Sequence, residues 1–158
     1  MTTKRNMIVV VAKRVDYTRT PEEVIRAIGG RVEYVDWNVA ATMPRRRQGV
    51  LENVEVVFLR LDRYERMSEA DRDYEELGLE PDPYAQAAVN EQDSVFADEH
   101  PNCCLWASDD SFVSYLTFDR DLDLRYVYCL RGVLARYDRL WSLWSAGVRR
   151  SSLPAAKK

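Results

Sequence analysis

The run "FADEHPNCCLW", from Phe96 to Trp106, gathers Asp98, Glu99, the single histidine His100 and the adjacent thiols Cys103 and Cys104. A cysteine thiolate beside an imidazole is an activated nucleophile, and a nearby carboxylate can orient the ring. A small enzyme using His100 with Cys103 or Glu99 is therefore one reading of the chain. The signal is weak, because no third group stands at a fixed spacing from the pair. Structural zinc needs four ligands at repeating spacings, and adjacent cysteines rarely serve one ion, so no metal is expected. The sequence has no Gly-rich phosphate loop, no Ser elbow and no paired-carboxylate signature, and it implies no cofactor. On these grounds the chain reads as non-enzymatic, with 96–106 a loop.

The elements that would hold such residues follow from pattern and punctuation. "MIVVVAKRVDY" is β-branched and predicts a first strand. "TRTPEEVIRAIGG" predicts a short helix, with Thr20 as cap, Pro21 at the first position, Glu23 completing a capping box and Gly29 as terminator. "RVEYVDW" and "VEVVFLRL" predict strands on either side of a loop holding Met43-Pro44 and an arginine run. "SEADRDYEELG" predicts a helix capped by Ser68 and ended by Gly78. "PDPYAQAAVNEQD" predicts another, capped by Asp82 with Pro83 in its first turn. Further on, "SFVSYLTF" and "LRYVYCLR" alternate as strands, and "LWSAGVRR" reads as a last strand. Val133 to Ser145 fits a helical face equally well. The order predicts an α+β fold with two to three helices and a β-rich C-terminal third.

A chain of 158 residues, 46% hydrophobic and 11% aromatic, suits a single domain spanning 1–158. The net charge of -3 is unevenly spread. Residues 62–99 hold thirteen acids and three arginines, against thirteen acids and twenty bases elsewhere. This predicts an acidic helical face beside a basic sheet. "PRRRQG" (Pro44 to Gly49) is a basic run, but an acidic whole disfavours nucleic acid as primary partner. No apolar run is long enough to span a bilayer. The N-terminal basic and apolar residues lack a cleavage site and read as a strand, not a signal peptide. Three cysteines without framework spacing suit a reducing compartment, so a cytoplasmic location is the default expectation, with display by an unrecognised route the alternative.

One further feature is countable. Residues 1–99 contain twelve Glu, two Lys, three Gln and four Met, whereas residues 100–156 contain none of the four types. At the same rate, about twelve would be expected there. Arg persists where Lys is missing, and Asp where Glu is missing. Codons ending in a pyrimidine supply Phe, Leu, Ser, Tyr, Cys, Arg, Asp and Val, but cannot supply Glu, Lys, Gln, Met or Trp. That is the vocabulary of "YLTFDRDLDLRYVYCLRGVLARYDRLWSLW" (Tyr115 to Trp144), with Trp106, Trp141 and Trp144 as fixed positions.

On these residues, and on the ending "SAGVRR" (Ser145 to Arg150), the chain resembles the variable proteins of diversity-generating retroelements. In that family a reverse transcriptase mutates template adenines, and the altered copy replaces a C-terminal region on a C-type-lectin fold of the formylglycine-generating-enzyme kind. The resemblance implies paired N- and C-terminal strands, a constant scaffold 1–111, a variable region 112–144, a closing strand 145–150 with a Gly-x-Arg pattern, and a tail 151–158. It further implies a binding protein for varied targets, chiefly proteins or other surface ligands. The candidate contacts are Tyr126, Tyr128, Leu130, Val133, Leu134, Arg136, Tyr137, Arg139, Leu140 and Leu143. Calcium-binding Glu-Pro-Asn and Trp-Asn-Asp triplets of glycan-binding lectins are absent, and Cys103-Cys104 does not match the cysteine pair of the catalytic branch. Tyr126, Tyr128 and Leu130 also fit a buried strand face, and an exposed aromatic surface also fits a homo-oligomer interface; the sequence fixes no oligomeric state.

Overall fold

The alternating run Met7–Asp16 forms β1, an edge strand of one eight-stranded sheet. The computed structural model describes residues 7–29, 31–61, 67–109, 112–121, 124–133 and 143–150. Helix α1 (Pro21–Arg26) is fixed by its first turn: Thr20 Oγ1 accepts from Glu23 N at 3.1 Å, and Glu23 Oε1 accepts from Thr20 N at 2.8 Å. Strand β2 (Arg31–Val35) leads into a one-turn helix, α2 (Trp37–Ala40), capped by Asp36. Next come β3 (Val50–Arg60), α3 (Met67–Leu77), β4 (Leu79–Pro81) and α4 (Pro83–Gln92). Asp82 caps α4 by accepting from Ala85 N at 2.9 Å. The one-turn α5 (Phe96–Glu99) precedes β5 (Asn102–Asp109), β6 (Phe112–Asp121), β7 (Leu124–Val133) and β8 (Trp144–Arg149).

The strand order is β1-β3-β8-β5-β6-β7-β2, with β4 added on β8. Pairing is antiparallel except for β5 with β8 and β2 with β7. The mixed α and β architecture expected from the sequence is present. The N- and C-terminal strands, however, are not partners. Strand β1 bonds to β3, and β8 lies between β3 and β5. Burial explains the order. Val56 to Leu59 of β3 and Ser145 to Val148 of β8 are sealed on both faces and need inner positions, whereas β1 leaves Met7, Val9 and Val11 exposed.

Among the described residues five helices stand where two to three were expected, the extra pair being single turns. The segment 96–106, expected as a loop, forms α5 and the start of β5. Cys103 to Trp106 are buried on both faces, so the alternation that marks a half-buried strand is missing there. Ser68, expected as a cap, lies inside α3.

The main core packs α1, α2, α4 and α5 on one face of the sheet around Ile25, Phe58, Tyr84, Val89, Phe96, Leu116 and Val127. The other face holds a cluster of Leu61, Cys103, Leu105, Val113, Tyr115 and Leu143, and a second under α3 with Val57, Leu59 and Leu79. Under α4, Gln86, Asn90 and Asn102 are fully buried and bond to one another at 2.8 to 3.1 Å. These contacts fix the helix register on the sheet, and they leave Gln86 Oε1 buried without a partner.

Candidate functional site

The chemistry suggested by His100 and the cysteines does not assemble. His100 stacks on Phe96 at 5.0 Å and meets the edge of Trp144 at 5.3 Å. Among the described residues no hydrogen bond joins its ring to a thiol. Cys103 and Cys104 are fully buried in β5, and burial pushes both thiols far up, which holds them in the unreactive protonated form. Cys129 is buried too, and desolvation followed by the Asp36 charge pushes its thiol up to about 12. Glu99 is exposed at the end of α5.

The arginine run is consumed by the fold. Arg45 donates to the Arg19 carbonyl at 3.0 Å, Arg46 to the Pro81 carbonyl at 2.8 Å and Arg47 to the Arg149 carbonyl at 2.6 Å. The three guanidiniums tie one loop to the lead-in of α1, to α4's entrance and to the end of β8. Free carbonyls near element ends are natural acceptors for such donors.

What remains of the sequence-derived surface is centred on β7. Its residues alternate: Val127 and Cys129 are fully buried on the helix-covered face, while Tyr126, Tyr128 and Leu130 are half-buried on the other. Parallel pairing sets Tyr34 of β2 beside Tyr128, and the two rings stack at 5.0 Å with planes 9° apart. Tyr126 closes the group, 6.0 Å from Tyr34 and 6.2 Å from Tyr128. Tyr128 and Leu130 rest against the Cys103, Tyr115 and Leu143 cluster, whereas Tyr34 is 44% exposed. Across the sheet, Thr117 lies opposite Tyr128 with its Oγ1 buried and unpartnered.

Tyr34 is the residue that sequence reasoning missed. Its strand was legible, but nothing local to it signals a parallel pairing with a strand about ninety residues later. No family model, curated protein or solved structure matches the chain.

The other sequence-derived contacts divide sharply. Leu143 is only 3% exposed and belongs to the core cluster, because the chain entering β8 must close over Leu61 and Cys103; it offers no surface. Val133 ends β7 opposite Phe112. Leu134, Arg136, Tyr137, Arg139 and Leu140 lie outside the described residues. Trp144 is half-buried against the main core. Chemically, the tyrosine group offers a flat, preset aromatic area with polar hydroxyls, which suits contact with another surface and loses little side-chain entropy on binding.

Proposed function

We propose that the protein is a non-enzymatic binding protein whose C-terminal surface is diversified by a retroelement to contact varied targets, chiefly proteins. The observation that carries this reading is the loss of Glu, Lys, Gln and Met from residues 100–156. Burial accounts for part of that loss, since β5, β6 and β8 are largely sealed and would exclude Lys and Glu in any protein. It does not account for the outward positions. Arg131 is exposed and would accept Lys, and half-buried Asp119 stands where Glu is equally soluble.

The geometry supports the same division of labour. One face of β7 is spent on the core, and the other carries Tyr126, Tyr128 and Leu130, the side chains an antibody-like surface favours. The reading keeps from the lectin resemblance the role of the C-terminal strands and the closing Gly147-x-Arg149 pattern, which falls in β8. It does not need paired terminal strands, only a rigid sheet with one tolerant face.

Reading the gene tests it. Tyrosine codons always end in a pyrimidine, so the informative positions are Leu130, Val133, Leu134, Arg136, Arg139 and Leu140. All should end in C or T, and a near-copy of the segment differing at template adenines should lie near a reverse-transcriptase gene. Purine endings scattered through those six codons would sink the proposal.

A further inference from the structure

A groove of about 250 Å³ opens between the end of β1, α1 and α4. Its floor is apolar and built from small or locked side chains: Val24, Tyr84, Ala87 and Ala88, all buried. Its rim carries Arg14, Asp16, Arg19, Glu91 and Gln92. Most of this wall is already fixed. The Tyr84 ring stacks on Tyr17 at 5.5 Å, and its hydroxyl donates to the Arg19 carbonyl at 3.2 Å while accepting from Arg45 at 3.0 Å. Arg19 pairs with Glu91 at 3.0 Å. Gln92 accepts from Lys13 N at 2.8 Å and donates to the Arg14 carbonyl at 2.6 Å. Asp16 accepts from Thr18, which with the nearby arginines holds its carboxyl below the usual range and keeps it charged.

One strong group keeps unused donors. The Arg14 guanidinium makes no hydrogen bond or ion pair among the described residues. Arg14 shares its charge with nearby Asp16 but keeps its hydrogen-bond donors, and a guanidinium with donors to spare beside an apolar floor matches a carboxylate joined to an aliphatic chain. The rim as a whole balances two arginines with two carboxylates, so it favours a zwitterion over a net anion. We propose that this groove binds a free aliphatic α-amino acid. Its carboxylate meets Arg14, its ammonium meets Asp16 and Glu91, and its branched side chain rests on Val24, Ala87 and Ala88. Preorganisation of the wall lowers the entropy lost on binding.

The full chain, titrated with leucine by calorimetry and followed by amide chemical shifts, tests the assignment. Saturable binding with shifts at Arg14, Ala87 and Ala88 is expected. Leucinamide, which lacks the carboxylate, and N-acetyl-leucine, which lacks the ammonium, should each bind at least about tenfold more weakly. Arg14→Gln, an exposed change, should weaken leucine about tenfold with an unaltered melting curve. Ala87→Leu should abolish binding by filling the floor. Absence of saturable leucine binding, an affinity for either analogue equal to that for leucine, or unchanged affinity in Arg14→Gln would overturn the proposal.

Discussion

The Tyr17 hydroxyl donates to Asp82 Oδ2 at 2.6 Å with both side chains sealed from water. Burial, the largest cause, raises the Asp82 carboxyl above its ordinary value of 3.8, while the Tyr17 and Ala85 hydrogen bonds and two arginine charges oppose it. A carboxylate raised in the folded state contributes stability that is complete below its unfolded pKa and is lost as pH rises through the folded one. Asp82→Asn keeps an acceptor for Ala85 N and has no charge to bury. Its urea midpoint relative to the parent chain should therefore improve between pH 4 and pH 7; an identical pH dependence would contradict this account. Tyr17→Phe strips one partner from the buried carboxylate and should cost about 1 to 3 kcal/mol in urea unfolding at neutral pH. The cysteines make a second test at this scale. All three are free and buried, so the native chain should not react with a thiol reagent at pH 8, and should take up three equivalents once unfolded. None of this burial was readable from spacing. A Cys-Cys pair looks the same in an active site and in a doubly covered strand.

Where an element's boundary depends on its own side chains, the sequence announced it. Helices α1 and α4 begin at the expected caps because Thr20 and Asp82 each accept from the backbone N–H three residues on. How elements meet was less legible, and Gly147 in β8 shows why. A Cβ there would stand 2.9 Å from the Tyr74 ring of α3 and 3.1 Å from the Glu80 carbonyl of β4. Tyr74 is itself held by a 2.7 Å hydrogen bond to Ser145 Oγ, so the ring has little room to yield. Gly147→Ala is expected to lower stability by about 1 to 3 kcal/mol, read as a shifted urea midpoint without a change in slope. An unshifted midpoint would mean that α3 does not pack tightly on β8. The glycine thus answers to a helix docked across the sheet as well as to the Gly-x-Arg pattern by which the sequence singled it out.

Across the whole sheet, tolerance to substitution should follow the two faces of β7. Tyr126→Ser removes a half-buried ring from the face of the sheet away from the main core and should change stability within about 1 kcal/mol, whereas Leu116→Ala in the central core should cost about 2 to 5 kcal/mol. Thermal melts of both variants check this, and equal losses would remove the distinction on which a diversified surface depends. Local physics made most elements legible in the sequence. Period-two alternation, capping side chains and terminating glycines act over a few residues, and they specified β1, β7, α1 and α4 without reference to anything distant. The bias in amino-acid usage after residue 99 was equally plain. Strand order was decided only in three dimensions. The last strand enters between β3 and β5 because its two buried faces require it, and the first strand, half exposed, is left at the edge. The same long-range packing spent the arginine run on carbonyls, sealed Leu143 and set Tyr34 against Tyr128. Pairings between distant segments are chosen by the burial they jointly achieve, and that quantity has no local signature.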